Sequence, residues 1–311
     1  VKFQTFKAEK VVTRSAPQAE YQARNTGKVE SQYDMLKRLE LDAEAHRKIA
    51  SYCRKKKIIF LSSPFDEESA TLLAYLGVNR IKLPSGEISN LPFLAHVARL
   101  QKPILLSTGM AYLAEVDDAV RTIQKEWQKK NFAGSAHGLT LLHCLTEYPA
   151  PMEEVNLKAM ITLREAFQLP VGYSDHTLGI EIALAAAALG AAVIEKHFTL
   201  DRTLPGPDHQ ASLEPAELKK MVVGVRNIER ALGNGIKAPA ESELKNRDLV
   251  RKSLLVTRNF KAGHRLQAGD LAAKRPGGGI SPGQKKLLVG AVLQKSIARD
   301  TLLTWDHLLK H

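Results

Sequence analysis

Two histidine-bearing motifs carry the sharpest chemical signal in this sequence. Gly172-Tyr-Ser-Asp-His-Thr177 and Glu195-Lys-His-Phe-Thr199 each place an imidazole just past an apolar, strand-like run. Neutral imidazoles bind divalent cations, with water or substrate filling the open positions. His176 and His197 are therefore expected to ligate a metal. His46, His96, His137 and His307 occur singly and read as ordinary surface or core residues. His143 and Cys144 lie inside an apolar strand, where packing is the expected role.

A second group suits an anion. Lys2, Lys82 and Lys196 interrupt otherwise apolar strands, and burying an unpaired ammonium is costly. Alternation along a strand leaves open which of the three face inward. Ser63, Ser85 and Ser107 add hydroxyls at the same level, and Gly86 and Gly109 let backbone N–H groups approach closely. Lysines with hydroxyl and amide donors are what a phosphate site needs. Glu87, in Ser85-Gly-Glu87, is a candidate carboxylate for acid–base work or for substrate hydroxyls. The sequence has neither a Walker-type nor a Rossmann glycine motif, which argues against a nucleotide.

The scaffold that must gather these residues is legible in the periodicity. Strand-like runs occur at 1–6, 58–62, 80–83, 103–107, 139–144, 170–174 and 191–198. Helical patterns lie between or after them at 67–76, 91–100, 113–127 and 214–232. Polar residues follow every one of the strands: Gln4 and Lys7, Ser62 and Ser63, Ser85 and Glu87, Ser107 and Thr108, Thr146 and Tyr148, Ser174 and His176, then His197. Seven polar strand ends in a row are what the mouth of a parallel β/α barrel requires. The expected fold is α/β: a TIM (β/α)8 barrel lacking its first strand over 1–235, a linker over 236–250, and a small, mainly β module over 251–311. Within that module, 253–257 and 287–293 read as strands.

Composition bounds the alternatives. The chain has 311 residues, of which 44% are hydrophobic and 25% charged, so it is a globular chain and not a disordered one. The greasiest stretch, 180–192, is too short for a membrane span and carries Glu181. No secretory signal is evident. Two cysteines, Cys53 and Cys144, exclude a disulfide scaffold and suggest a reducing, cytoplasmic setting. The net charge of +12 admits nucleic acid, an acidic surface or an anionic small substrate. Basic residues are dispersed, however, apart from Arg54-Lys-Lys-Lys57, which reads as an exposed helix end, and aromatics are sparse at 6%. Neither a nucleic-acid partner nor a membrane is expected.

Taken in order, the motifs resemble the sialic acid synthase family, the N-acetylneuraminate, legionaminate and pseudaminate synthases. The matching segments are Lys-Phe-Gln-Thr at 2–5, Ser62-Ser-Pro-Phe65, Lys82-Leu-Pro-Ser-Gly-Glu87, Leu106-Ser-Thr-Gly-Met110, His143-Cys with Tyr148-Pro, the two histidine motifs, Gly206-Pro-Asp208 and Lys274-Arg-Pro-Gly277. The last sixty residues resemble that family's SAF domain, related to type III antifreeze protein. The resemblance implies a barrel that condenses phosphoenolpyruvate with an open-chain 2-acylamino hexose of N-acetylmannosamine type. The products are a nine-carbon 2-keto acid and phosphate. It also implies a divalent metal, manganese or magnesium, and a domain-swapped homodimer in which the small domain caps the partner's barrel.

Position by position, the resemblance gives Lys2, Ser63, Lys82, Ser85, Ser107 and Ser174 to phosphoenolpyruvate and His176 and His197 to the metal. Gln4, Glu87, Tyr148 and Asp208 would face the sugar, and Arg275 would reach its N-acyl group from the other subunit. Lys82, Glu87 and Asp208 are the expected catalytic groups. Thr146, also assigned to the sugar, stands where the family often has Asn. The family's first strand, with a glutamate near the reacting centre, has no counterpart here. The natural protein is thus expected to be longer at its N-terminus, and the 311-residue chain to be poorly soluble or inactive. The segments Asp175-His-Thr177 and Arg251-Lys-Ser253 incline towards a legionaminate- or neuraminate-type enzyme. Two competing functions are a Schiff-base aldolase using Lys82 or Lys196, and a basic polysaccharide- or nucleic-acid-binding protein.

Overall fold

The structure is a computed structural model that describes residues 1–132 and 138–309. His137 lies outside the described residues. The chain divides into two compact units, Val1–Gly233 and Asn234–His311.

The first unit is α/β. Strand β1 (Lys2–Thr5) is followed by four helices, α1 (Ala8–Val11), α2 (Glu20–Thr26), α3 (Gln32–Leu39) and α4 (Ala43–Lys55). Then β2 (Leu61–Pro64), α5 (Glu67–Tyr75), β3 (Ile81–Leu83), α6 (Leu91–Arg99), β4 (Ile104–Ser107) and α7 (Leu113–Lys129) alternate. The pattern continues through β5 (Leu139–Cys144), α8 (Ala159–Phe167), β6 (Val171–Asp175), α9 (Glu181–Ala188), β7 (Ile194–Lys196) and α10 (Pro215–Leu232). All pairings are parallel and follow chain order, with β1 on β2 and a second ladder running from β3 to β7. This is a curled, TIM-like sheet with helices outside it. Helix starts obey local chemistry: Ser31, Asp42, Asp66 and Asn90 each accept a hydrogen bond from a backbone N–H of the first turn.

Alternation sorts each strand into two faces. Ile81, Leu83, Ile104, Leu106, Leu139, Leu141, Val171 and Tyr173 join Leu73, Leu94, Ile123 and Trp127 in one apolar layer between sheet and helices. Full burial of each such Leu or Ile contributes about 1.5–3 kcal/mol. The intervening residues, Lys82, Ser107, Cys144 and Ser174 among them, are left for the interior of the curl. Arg54 to Lys57 do form an exposed helix end, because α4 closes at Lys55 with its basic side chains in solvent.

The second unit adds a helix to one expected segment and corrects another. Residues 241–250 of the expected linker form helix α11 (Glu241–Val250). Segment 287–293 is not a strand. Leu287 and Leu288 end helix α12 (Lys285–Leu288), and Gly290 turns the chain with φ +93°, so only isolated bridges follow. The remainder is mainly β, with β8 (Ser253–Val256) antiparallel to β9 (Leu271–Lys274) over a core of Leu254, Val256, Leu266, Leu293 and Leu303.

Candidate active site

The polar strand ends converge on one cavity of about 350 Å³, within the range typical of small-ligand sites. Lys2 and Gln4 from β1, Ser63 from β2, Lys82 from β3 and Ser107 from β4 line it. Ser85 and Gly86 follow β3, while Cys144, Thr146 and Tyr148 close β5. His176, Glu195, His197 and Asp208 complete the polar wall. The opposite wall is apolar and comes from the segment between β1 and α4, with Val11, Val12, Met35, Leu36 and Leu39, together with Tyr21.

One carboxylate organises the cations. Glu195 lies with Oε1 3.1 Å from Lys2 Nζ and Oε2 3.6 Å from Lys82 Nζ. Burial opposes its charge, but Lys82 and Lys2 overrule that and hold the carboxyl at about 2. Burial pushes the Lys82 ammonium below the usual lysine value, and Glu195 only partly offsets this. Glu195 belongs to the second histidine motif, yet sequence reasoning gave it no role. The signal was there: it stands two residues before His197, so both share a strand face.

The same alternation turns Lys196 away. Its Nζ donates to Asp175 Oδ2 at 2.8 Å on the outer side of β7, and among the described residues it does not line the cavity. Of the lysines left open by sequence, two face the mouth and Lys196 does not. Cys144 is the other correction. It lines the cavity, with Sγ 3.1 Å from Ser85 Oγ, whereas His143 turns outward and bonds the Val155 carbonyl at 2.7 Å.

Ser85 is oriented by the Gly109 N–H at 3.1 Å. A Cβ at Gly109 would meet Thr146 Oγ1 at 2.6 Å and Ser85 Oγ at 2.8 Å, so this approach needs glycine. Ser63 Oγ, Ser107 Oγ and Thr146 Oγ1 are buried without any hydrogen-bond partner. Buried hydroxyls are normally satisfied. These three hydroxyls, with no partner among the described residues, line the same cavity as Lys2 and Lys82.

The imidazoles stack in a column with two tyrosines. Tyr21 packs on Tyr148 with centroids 5.0 Å apart, Tyr148 on His176 at 4.2 Å, and His176 meets His197 edge-on at 5.3 Å. His176 Nδ1 donates to the Leu145 carbonyl at 2.5 Å, which leaves Nε2 as the unprotonated nitrogen. Burial pushes His176 down to about 4; burial, reinforced by Lys2, pushes His197 down to about 3. Both rings are therefore neutral at physiological pH, the state in which imidazole ligates metal. Among the described residues no three His, Cys, Asp or Glu groups gather as a metal cluster. The two neutral imidazoles that the sequence assigned to a metal thus lie side by side in the cavity, with ring centroids 5.3 Å apart.

The remaining expected residues lie at varying depth. Ser174 sits beneath His176, 3.4 Å from Nε2. Asp208 is at the rim, its Oδ2 3.5 Å from His197 Nδ1. Asn25 ties this rim together by donating to the carbonyls of Tyr148 and Pro207 at 3.1 and 2.8 Å. Glu87 accepts from Asn90 at 2.8 Å and is not among the lining residues. Arg275 is exposed in the second unit, before the cis bond to Pro276. The stacking role of Tyr21 had no sequence signal, because its helix α2 carries no buried residue and finds its place only by tertiary contact.

Comparison with known proteins is consistent with this geometry. Residues 1–237 match the NeuB family and residues 251–309 the SAF domain. An N,N'-diacetyllegionaminic acid synthase of Campylobacter jejuni is 50% identical over 303 residues, covering 97% of this chain and 89% of that protein. One from Legionella pneumophila is 46% identical, covering 99% and 85%. The crystal structure of an N-acetylneuraminic acid (sialic acid) synthetase from Leptospira borgpetersenii in complex with citrate superposes with a TM-score of 0.67 at 33% identity, covering 79% of this chain and 78% of that one.

Proposed function

The chain belongs to the NeuB family, and from that premise we propose that it condenses phosphoenolpyruvate with an N-acylated amino hexose to a nine-carbon 2-keto acid and phosphate. The observation that carries this reading is the juxtaposition of two kinds of receptor in one cavity. Two lysines and the unpartnered hydroxyls of Ser63 and Ser107 suit a phosphorylated acid, and beside them lies a pair of neutral imidazoles.

Lys2 and Lys82 attract the anionic substrate, and Ser63, Ser85, Ser107 and Ser174 receive its oxygens. His176 and His197 hold a divalent cation, manganese or magnesium, which when bound polarises the aldehyde oxygen of the open-chain sugar. Carbon 3 of phosphoenolpyruvate then bonds to the aldehyde carbon, the aldehyde oxygen takes up a proton, and positive charge develops at carbon 2. Water adds there and gives up a proton, and phosphate leaves by cleavage of the C–O bond. Glu195, charged throughout the physiological range, stabilises the developing cation. Gln4, Tyr148 and Asp208 orient the sugar, with Thr146 from within the cavity wall, while Glu87, bonded to Asn90 outside the cavity lining, takes no part in this reading.

The acceptor we favour carries two acetylated nitrogens, on the strength of the two diacetyllegionaminic acid synthases at 50% and 46% identity. Arg275 is assigned to the N-acyl group of a sugar held by a partner subunit in a homodimer. Two buried, unpaired cysteines suit a cytoplasmic setting. Among the described residues no helix is long and apolar enough to cross a membrane.

The test is incubation with phosphoenolpyruvate, manganese and a panel of mono- and diacylated amino hexoses, following phosphate and 2-keto acid together. Both should appear in equal amounts and cease with a chelator. Activity that survives chelation, together with a borohydride-trapped pyruvate adduct on Lys82, would establish the aldolase instead.

A further inference from the structure

The outer face of β6 and β7 holds an ion pair that the chemistry above does not use. Asp175 and Lys196 are direct partners in the β6–β7 register. Lys196 Nζ lies 2.8 Å from Asp175 Oδ2, and the two side chains are 2% and 0% exposed. Asp175 Oδ1 accepts from the Thr177 N–H at 3.0 Å and from the Thr177 hydroxyl at 2.7 Å. Lys196 also donates to the Thr177 carbonyl. Every charged atom of the pair is thus engaged, and all its partners lie on one short segment.

The placement is what gives this pair meaning. Asp175 immediately precedes His176, and Lys196 immediately precedes His197. Strand alternation sends the two histidines inward and this pair outward. Fixing Asp175 against Lys196 therefore fixes the backbone from which both imidazoles project. His176 is already held from the front by the Leu145 carbonyl and by its own carbonyl, which accepts from the Ala150 N–H at 2.9 Å. The His197 carbonyl accepts from the Leu213 N–H at 2.9 Å. Among the described residues, the two histidine segments are tied to each other by Asp175–Lys196, the Lys196–Thr177 bond and the backbone ladder beside them. A buried ion pair is weak evidence for stability as such, because desolvation consumes most of its attraction. Its value lies in allowing one arrangement only.

We propose that Asp175 and Lys196 are positioning residues that set the mutual geometry of His176 and His197 for a divalent cation. The inference rests on the metal reading of these histidines. It predicts that the pair controls metal affinity while leaving the anion receptor of Lys2, Lys82 and the serines intact. Loss of groups that orient metal ligands commonly costs tenfold to a hundredfold in affinity.

The experiment compares the parent chain with Asp175→Asn, which keeps the acceptor for Thr177, and with the double variant Asp175→Asn/Lys196→Met, which leaves no unpaired charge. Manganese affinity is read by the loss of the free-ion paramagnetic resonance signal. KM for phosphoenolpyruvate is read at saturating metal. The expected result is manganese affinity weakened about tenfold or more in either variant, with KM changed less than about threefold. If the double variant does not fold, Asp175→Asn alone decides. Parental manganese affinity in a folded variant overturns the proposal, as does a KM that rises in step with the metal constant. A parent chain that binds no manganese overturns the metal reading itself, and the two failures are told apart by that first titration.

Discussion

Lys2 and Glu195 meet at 3.1 Å, joining β1 of the two-stranded ladder to β7 of the five-stranded one. Glu195 reaches Lys82 as well, so one carboxylate balances two cations in the cavity. Replacing it by Gln leaves two ammonium groups facing one another. Breaking a buried pair costs about 3–5 kcal/mol, but Lys82 can shed its proton more easily than an ordinary lysine, so Glu195→Gln should lose about 2–3 kcal/mol. Inorganic phosphate should restore part of the lost Tm, since an anion supplies the missing charge. Thermal unfolding with and without phosphate reads this. A variant as stable as the parent without phosphate would remove the carboxylate from its balancing role.

Lys82 sets an alkaline limit. Burial lowers its pKa below the ordinary 10.5, with Glu195 pulling the other way. The free enzyme should therefore lose kcat/KM for phosphoenolpyruvate at a pH below 10.5, as the cation that receives the anion disappears. In Glu195→Gln the same limb should move to still lower pH. The profile of kcat/KM checks both. An alkaline limb unmoved by Glu195→Gln would separate Lys82 from the site.

The histidines set an acid limit on stability. Folded His176 and His197 titrate at about 4 and about 3, against an ordinary 6.5 when unfolded. Between these values the unfolded chain binds protons that the folded chain refuses, so stability rises with pH there. It is at its full value above about 6.5 and declines as pH falls towards 4. Glu195 adds to the loss only below its ordinary 4.5. Tm measured from pH 7 to pH 4.5 should fall in the parent and fall less steeply in His197→Gln. Equal slopes would mean that His197 is not held neutral by the fold.

Much of this cavity's lining is legible in the sequence, and the reason is geometric. A parallel β/α chain brings its strand ends to one mouth, so seven polar strand ends announce a site whatever their details. What failed was parity within fully buried strands. In Leu139-Thr-Leu-Leu-His-Cys144 the two polar residues, Thr140 and His143, fall on opposite faces and both faces also carry apolar residues, so no alternation tells which face is inside. Cys144 was accordingly assigned to packing and turned out to face the cavity. In β7 a reference existed: once His197 is placed inside, Glu195 follows and Lys196 must point out. Tyr21 and the apolar wall of 11–39 were beyond reach for a different reason. Their short helices bury little of their own surface and are placed by contacts such as Asn25 with the loops after β5 and β7.

Ser63 offers the clearest separation of function from stability. Its hydroxyl is buried in the cavity wall and has no partner on the chain among the described residues, so no bond within the protein depends on it. A buried, unpaired polar group carries a desolvation cost of about 1–3 kcal/mol, and removing it relieves that cost. Ser63→Ala should therefore leave Tm unchanged or raise it slightly. The same hydroxyl would donate to a charged phosphate oxygen, a bond worth about 1.5–3 kcal/mol, so KM for phosphoenolpyruvate should rise about tenfold or more. Measured together, a stable protein with weakened substrate binding identifies a group kept for the ligand. A destabilised Ser63→Ala with unchanged KM would show instead that the hydroxyl serves the fold.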